Sequence, residues 1–219
     1  MRFYVITILK DRSDLTLDTL ISFYKTNDPL MHIFIDNAST DDTQQVVRDA
    51  IQDLKDAGVN TVFYYFRNDE NMGIAKALTE GINFVFNKEG KRPDGMFLKL
   101  DNDIRFDTEN LLEKVEKFYE ANGRFFVVAP RDRAIDPAYE PKGVNKRFKL
   151  PDNFTSKTHV GGACLFLPPD AAMILAYQEV EKDVNRGHVL RANGYTIGYL
   201  DDMFITHMGL NRSVDNYKF

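Results

Sequence analysis

Strand and helix signals alternate from residue 3 to residue 129 of this sequence, and that alternation restricts the fold more than any other feature. Short runs of apolar and β-branched residues are each followed by a segment whose apolar residues recur at helical spacing. Repeated strand–helix–strand units favour a parallel sheet that is covered by helices on both faces. The sequence therefore predicts an α/β fold. The predicted strands cover 3–9, 32–35, 62–66, 96–100 and 125–129, and the predicted helices begin near Ser13, Ser39 or Thr40, Gly73, and Asp107 or Thr108.

The second half of the sequence has a weaker pattern. Strands are predicted over 159–167, 196–200 and 204–207, and a helix is predicted to begin at Pro168-Pro169. Residues 130–158 show no clear period, and such a long irregular stretch inside a compact domain is usually functional or mobile. We interpret it either as a solvated loop or as a contact for a diphosphate or an anionic acceptor. Its basic side chains are Arg131, Arg133, Lys142, Lys146, Arg147, Lys149 and Lys157.

Length and composition favour one soluble globular domain. The chain has 219 residues, of which 43% are hydrophobic, and a formal net charge of -5, so unspecific binding to nucleic acid or to a membrane surface is not favoured. No apolar run approaches the roughly 20 residues that a membrane helix needs, so no integral membrane contact is expected. The single cysteine, Cys164, excludes an internal disulfide and a cysteine metal cluster. The N-terminal run is typical of a buried first strand rather than a signal peptide, so the predicted location is the cytoplasm.

Asp101-Asn102-Asp103 directly follows the fourth predicted strand. In an extended chain, side chains two residues apart point the same way, so Asp101 and Asp103 are expected to face one point in space. Two carboxylates held this close repel each other unless a cation or a proton lies between them. Oxygen ligands suit Mg²⁺ or Mn²⁺, and such an ion usually shares its coordination with substrate phosphates. The sequence therefore predicts an enzyme that binds a metal–diphosphate.

Asp36 follows the second predicted strand in the same way. In open parallel sheets, ligands bind beyond the carboxyl ends of the strands. One crevice at that edge is therefore expected to collect Asp36, Asp101 and Asp103.

Five segments of the sequence, taken in order, resemble the motifs of family-two glycosyltransferases with a GT-A fold. The resemblance covers nearly the whole chain. It implies a Rossmann-like, mostly parallel sheet flanked by helices in a single domain over residues 1–219, with a nucleotide-sugar half (1–105) and an acceptor half (106–219). The segments are Ile35 to Thr43 (D-N-x-S-x-D-x-T), Asn68 to Ala75 (N-x-G-x-A), Leu100 to Asp103 (D-x-D), Val160 to Phe166 (a glycine before the strand beside the acceptor), and Arg191 to Asp202 followed by His207.

The resemblance also implies roles for single residues. Asp36 would accept a hydrogen bond from the base of the nucleotide, commonly uracil. Asp101 would approach the ribose and the metal, and Asp103 would ligate Mn²⁺ or Mg²⁺ with His207 as a further protein ligand. The remaining donor-binding positions implied are Thr7, Leu9 and Arg12 around the base and ribose, together with Asn71, Gly73, Lys76 and Asn102.

The family takes its general base from an E-D dipeptide about a dozen residues before the G-Y of the closing segment. Counting back from Tyr195 places Asp183 at the aspartate of that pair, so Asp183 is the predicted base. The glutamate position holds Lys182, with Glu181 beside it, which is a departure from the family pattern. The implied reaction is a single displacement that transfers a sugar to an acceptor hydroxyl with inversion.

Structural roles without chemistry are open for the same residues. Asp101 and Asp103 can belong to a simple turn, and Asp36 can cap the turn that follows it. His207 can be a core histidine, and Asp183 can be a solvated helix residue.

Two other functions are weighed against glycosyl transfer. A nucleotidyltransferase would need a glycine-rich phosphate loop after the first strand, and the segment from Lys10 to Asp14 has no glycine. A non-catalytic nucleotide-sugar-binding module is the second alternative, because the glutamate of the base pair is missing. The acceptor is open between a glycan, a protein side chain, a lipid-linked sugar and a hydroxylated nucleobase in DNA.

Overall fold

The computed structural model of the protein describes residues 1–90, 92–135 and 150–209. Its first half alternates strand and helix as predicted, and each predicted strand is present with its ends moved by two residues or fewer. The elements of this half are β1 (Phe3–Leu9), α1 (Ser13–Tyr24), β2 (Met31–Asp36), α2 (Thr43–Asp56), β3 (Val62–Arg67), α3 (Gly73–Glu89) and β4 (Met96–Asp101).

The second half is richer in short elements than the sequence pattern indicates. Two three-residue strands and one helix were not predicted, because such short strands carry too few residues for a period to show. The elements are β5 (Ile104–Phe106), α4 (Leu111–Asn122), β6 (Phe126–Asp132), β7 (Phe154–Ser156), β8 (Cys164–Leu167), α5 (Pro169–Gln178), α6 (Asp183–Ala192) and β9 (Thr196–His207).

In the first half, β3, β2, β1 and β4 lie side by side and all pair in parallel. The register places Leu9 opposite Asp36 on one side of β1 and Ile8 opposite Asp101 on the other. Asp36 and Asp101 therefore flank the carboxyl end of β1, as the sequence predicts for parallel strands.

The described residues form a 9-stranded sheet in which the second half is mixed rather than parallel. The strand β8 is antiparallel to both β4 and β6, whereas β6 and β9 are parallel. Taken together, β1, β2, β3, β4, β6 and β9 point one way, and β5, β7 and β8 point the other way. The sheet is thus mostly parallel in direction, with β8 inserted antiparallel at its centre.

Two strand predictions are wrong in detail. The strand predicted over 159–167 is confined to Cys164–Leu167, because the chain makes a turn at Gly162 and Ala163 before it enters the sheet. The two strands predicted over 196–207 are one strand, β9, with a register shift opposite Pro130 and Arg131. The predicted basic residues Lys142, Lys146, Arg147 and Lys149 lie outside the described residues.

Helices cover both faces of the sheet, as the buried residues of β1 demonstrate. Tyr4, Ile6 and Ile8 pack in a cluster with residues of α3, α5 and α6, whereas Phe3 and Val5 pack in a second cluster with residues of α1 and α4. This alternation follows from the two-residue period of a strand that is buried on both faces. Among the described residues, no helix is both long and apolar enough to cross a membrane.

His32 on β2 is a buried polar residue that the sequence analysis did not single out. Its Nε2 lies 2.8 Å from Oγ1 of Thr7, and its Nδ1 lies 2.8 Å from the hydroxyl of Tyr24. Burial lowers the pKa of His32 to about 3, so its imidazole is neutral in the folded protein near pH 7. The two hydroxyls can satisfy both ring nitrogens of the neutral form.

We predict that His32 makes the protein less stable in mild acid. In the unfolded chain the imidazole binds a proton as the pH falls below 6.5, whereas in the folded chain it does not until near pH 3. Stability is therefore lost as the pH falls through this window, by roughly 2 kcal/mol between pH 7 and 5. Urea unfolding of His32→Gln should give a shallower pH slope than wild type. His188→Gln, which changes an exposed histidine, should keep the wild-type slope, and equal slopes for all three proteins would contradict the prediction.

Candidate functional site

A cavity of about 730 Å³ lies at the carboxyl ends of the central strands. It is bordered by the ends of β4, β6 and β9, by the loop before β8 and by α6. Three of the predicted site residues, Asp101, Asp183 and His207, line this cavity. The fold therefore brings together side chains that are up to about a hundred residues apart in the sequence.

Asp101 lies at the end of β4 and forms an ion pair with Lys99, two residues earlier on the same strand. The Lys99 side chain is buried, and its ammonium also donates to the carbonyl of Gly162 at 2.5 Å. Burial raises the pKa of the Asp101 carboxyl, and the charge of Asp103 adds to that rise, while the Lys99 ammonium opposes it. The positive charge of Lys99 therefore stabilises a carboxylate that would otherwise be costly at this depth.

Asp103 does not line the cavity; it lies in the turn that leads into β5 and is almost completely buried. Its Oδ2 contacts the guanidinium of Arg12 and lies 3.1 Å from Nε2 of His207, whereas its Oδ1 has no hydrogen-bond partner. Burial raises the pKa of Asp103, but the hydrogen bond with His207 and the charges of His207 and Arg12 outweigh it, so the pKa is below its ordinary range. Asp103 is therefore an ionised, buried carboxylate with one unpartnered oxygen.

His207 at the end of β9 joins two carboxylates. Its ring contacts Asp103, and its backbone N–H donates to Oδ1 of Asp132 at 3.2 Å. Burial lowers the pKa of His207, but the hydrogen bond to Asp103 and the charges of Asp103 and Asp101 raise it above the ordinary value. The imidazole thus belongs to an acidic cluster, formed by Asp101, Asp103 and Asp132 around His207, and not to the apolar core.

The acidic cluster has the chemistry of a divalent-cation site, but it is not a complete one. The unpartnered buried Oδ1 of Asp103 is the kind of atom that a cation would satisfy. Among residues 1–90, 92–135 and 150–209, however, no three acidic, histidine or cysteine side chains converge on one point as metal ligands do. Arg12 pairs with one oxygen of Asp103, and Lys99 pairs with one oxygen of Asp101. Asp103 and His207 are therefore the residues that would hold a divalent cation, and the described residues do not form a complete metal site by themselves.

Asp36 is completely buried, and both of its oxygens have partners within the protein. Its Oδ1 accepts the N–H of Ser39 at 2.7 Å, and its Oδ2 accepts the hydroxyl of Tyr65 at 2.5 Å and Arg67 at 2.9 Å. The contacts of Asp36 therefore match the alternative in which it caps the following turn. Its hydrogen bond to a nucleotide base stays a prediction.

The other predicted donor-binding residues divide between the core and the surface. The hydroxyl of Thr7 is engaged with His32, and Leu9 packs in a small apolar cluster between β1, β2 and the helices α1 and α2. The side chains of Thr7 and Leu9 are therefore not available to a nucleotide in this structure. Asn102 donates to the carbonyl of Asp11 and to Thr16, which ties the D-x-D turn to the start of α1.

The loop that leads into α3 is organised by Asn37, a residue to which the sequence analysis gave no role. Its side chain donates to the carbonyl of Gly73 at 3.1 Å and accepts from Asn68 at 3.1 Å. Gly73 has a φ of 81°, a conformation that favours glycine, and Asn71 accepts its N–H at 3.0 Å. Lys76 is exposed one turn further along α3.

Asp183 begins α6 and reaches across the cavity edge to the loop before β8. Its Oδ2 accepts the N–H of Gly162 at 3.0 Å, and its Oδ1 pairs with Arg186 on the next turn of the helix. Its side chain is 38% exposed, so the carboxylate is held in place and still open to the cavity.

Glu181, the neighbouring carboxylate, points elsewhere. Its Oε1 lies 3.4 Å from the backbone nitrogen of Ala75, at the beginning of α3, and it does not line the cavity. Of the two acidic residues beside Lys182, only Asp183 therefore lines the same cavity as Asp101 at the end of β4.

Sequence reasoning missed Lys99 and Arg186, although both line the cavity. A signal for Lys99 was present, since a lysine inside the apolar run Met96 to Leu100 shares a strand face with Asp101. Arg186 had no comparable signal, because the apolar pattern of its helix is too weak to reveal the buried face.

Comparisons with known proteins agree with a GT-A fold. The model of the family described as glycosyl transferase family 2 matches residues 4–176. The chain belongs to this family, so the predicted family is confirmed. No match is found among curated proteins.

Solved structures share this fold at low sequence identity. A mannosyltransferase, PcManGT from Pyrobaculum calidifontis in complex with GDP-Man and Mn²⁺, has a TM-score of 0.72 at 17% identity over 96% of this chain and 58% of that one. TarS 1–349 of S. aureus in complex with UDP-GlcNAc has a TM-score of 0.63 at 17% identity over 96% and 61%. GalNAc-T7 with UDP, GalNAc and Mn²⁺ has a TM-score of 0.67 at 12% identity over 94% and 44%. This chain therefore spans less than two thirds of the length of each.

We predict that replacing Lys99 by methionine destabilises the protein, because it leaves Asp101 without its buried counter-charge. Breaking such a pair should lower the free energy of unfolding by about 2–4 kcal/mol, since Asp101 is partly exposed. Urea denaturation at neutral pH measures this loss. Adding Asp101→Asn to Lys99→Met should recover part of it, because the uncompensated charge is then removed.

The control for this prediction is Lys55→Met, which changes an exposed lysine in the last turn of α2. Its free energy of unfolding should stay within about 0.5 kcal/mol of wild type. A stability of Lys99→Met equal to that of the control would contradict the role of the buried pair.

Proposed function

We propose that this chain transfers a sugar from a nucleoside-diphosphate sugar, with a uridine nucleotide preferred, to an acceptor hydroxyl with inversion. The observation that carries the proposal is that Asp101 and Asp183 line one cavity. They come from the two segments that resemble the donor motif and the base motif of the family. Structures of similar fold that contain GDP-Man, UDP-GlcNAc or UDP support a nucleotide-sugar donor.

On the donor side, Asp101 and Asp103 would receive the metal–diphosphate, with His207 beside them. The unpartnered Oδ1 of Asp103 supports Mn²⁺ or Mg²⁺ there. A divalent ion in this position would supply charge neutralisation for the leaving nucleoside diphosphate. Arg12 and Lys99 add fixed positive charge to the same region.

On the acceptor side, Asp183 would take the proton of the acceptor hydroxyl as that oxygen attacks the anomeric carbon. The new bond joins the acceptor oxygen to the sugar, and the bond between the sugar and the diphosphate breaks in the same step. One displacement from the opposite face inverts the anomeric configuration. The N–H of Gly162 and the guanidinium of Arg186 orient the carboxylate for this task.

The alternative functions have less support. The family match does not favour a nucleotidyltransferase. A binding module without catalysis would not require a carboxylate at the position of Asp183, whereas this chain holds one against the cavity. A glycan, a protein side chain or a hydroxylated nucleobase in DNA is compatible with the proposed chemistry as acceptor.

We predict that Asp183→Asn lowers turnover by roughly 100- to 10,000-fold, because a positioned base contributes that much to the rate. Binding of the nucleotide should change little, since Asp183 lies on the acceptor side. Release of nucleoside diphosphate from a panel of nucleotide sugars, with and without acceptors, measures turnover. Glu181→Gln is the matched control and should keep wild-type turnover, whereas loss of activity in Glu181→Gln alone would transfer the base role to Glu181.

We predict that Asp103→Ala removes metal-dependent nucleotide binding. A thermal-shift screen of nucleoside diphosphates with Mn²⁺ should stabilise wild type, most strongly with UDP, and this stabilisation should disappear in the variant. Glu109→Ala, which changes an exposed carboxylate, should respond as wild type does. Full activity in excess chelator would contradict the metal and would assign neutralisation of the diphosphate to Arg12 and Lys99.

A further inference from the structure

Arg186 is a buried arginine whose hydrogen-bonding capacity is largely unused. Its residue exposure is 5%, and its Nη2 pairs with Oδ1 of Asp183. Its Nε and Nη1 have no hydrogen-bond partner. Among the described residues, the other buried side chains with an unpartnered polar atom are those of Tyr4 and Asp103.

Burying these unpartnered donors costs folding free energy unless a ligand accepts hydrogen bonds from them. A guanidinium carries five N–H donors and no acceptor, and burying unsatisfied charged donors costs several kcal/mol. The single contact to Asp183 leaves donors on two nitrogens that only an acceptor can satisfy. Arg186 lines the cavity, whereas its Nε and Nη1 are covered by protein atoms, so a bound substrate that opens this contact can supply the acceptor.

The surroundings of Arg186 connect it with the acceptor side of the site. A Cβ at Gly162 would lie 2.5 Å from Nη2 of Arg186 and 2.5 Å from Oδ1 of Asp183, so the glycine allows the pair to pack against the loop. Lys157 and His159, from that same loop, also line the cavity. The charged side chains of Arg186 and Lys157 therefore both lie at the cavity that Asp183 lines.

We propose that Arg186 binds an anionic group, a phosphate or a carboxylate, carried by the acceptor substrate. This inference rests on the proposed function, since it assumes that Asp183 marks the acceptor side. The anion satisfies the unpartnered N–H donors of Arg186 and thereby sets the acceptor hydroxyl beside Asp183. Oxyanions are the ligands that an arginine fork recognises most strongly.

The diphosphate of the donor is a less suitable partner for Arg186. The donor side is defined by Asp101 and Asp103, whose basic partners are Lys99 and Arg12. The backbone of Gly162 lies between Lys99 on the donor side and Asp183 on the acceptor side, because its carbonyl accepts from Lys99 and its N–H donates to Asp183.

The first experiment titrates the full chain with inorganic phosphate and, separately, with acetate at constant ionic strength, and follows the thermal shift. Wild type should be stabilised by at least one of the two anions. Arg186→Gln should weaken that binding about tenfold or more, because a hydrogen bond to a charged group is lost. Arg48→Gln, which changes an exposed arginine on α2, should bind the anion as wild type does. The response to phosphate against acetate distinguishes the two kinds of anion.

Each outcome of this titration either supports or overturns the proposal that Arg186 binds an anion. Absence of an anion-dependent shift in wild type, or an equal shift in Arg186→Gln, would overturn the proposal. Arg186→Lys keeps the charge without the fork and should retain part of the binding. Circular dichroism and the melting temperature without ligand verify that each variant folds. Titration with a nucleoside diphosphate and Mn²⁺ is read separately, so a failure of the donor proposal is distinguishable from a failure at Arg186.

The second experiment compares glucose, glucose 6-phosphate and glucuronate as acceptors with the donor that wild type uses. Arg186→Gln should raise the KM for the anionic acceptor that wild type prefers by about tenfold, with a smaller change in kcat. Equal damage to turnover with neutral glucose would mean that Arg186 acts only by positioning Asp183, and would overturn its assignment as an acceptor-binding residue.

Discussion

The two sides of the site are joined through the backbone N–H and carbonyl of Gly162. Its carbonyl accepts from Lys99 at 2.5 Å, and its N–H donates to Asp183 at 3.0 Å. Any larger residue would bring a Cβ within 2.5 Å of both Asp183 and Arg186, so glycine is required for α6 to pack this closely. The position of the candidate base is therefore coupled to the strand that carries Asp101.

Three buried charges lie at the cavity or next to it: Lys99 and Arg186 line it, and Asp103 contacts His207, which also lines it. Lys99 has two oxygen partners, so it acts as a permanent counter-charge within the protein. Asp103 and Arg186 each keep unpartnered polar atoms, one of negative and one of positive charge. In the proposed function, Asp103 would favour a cation on the donor side and Arg186 an anion on the acceptor side, because each buried charge is stabilised by its opposite.

The sequence predicted the parallel half of the fold well, because β1, β2 and β4 are buried apolar runs and β1, β2 and β3 are each followed by a helix with apolar residues at helical spacing. It failed for β5 and β7, which are three residues long, and for the start of β8, where Gly162 and Ala163 turn the chain before the sheet. The motifs predicted Asp101 and Asp183 as site residues, and both line the cavity, while their roles stay predictions. The engagement of Thr7 by His32 was not found, because that hydrogen bond joins two neighbouring strands and leaves no local pattern.

The sequence by itself determined that carboxylates would follow β2 and β4 at one edge of a sheet, since parallel strands end on the same side. Only the tertiary structure decided which of those carboxylates face the cavity and which are engaged within the protein. Asp101 lines the cavity, whereas Asp36 is saturated by Ser39, Tyr65 and Arg67 and Asp103 is buried with one oxygen unpartnered. The physical reason is that hydrogen bonding and burial depend on side chains brought together from distant segments, and no periodicity along the chain records those meetings.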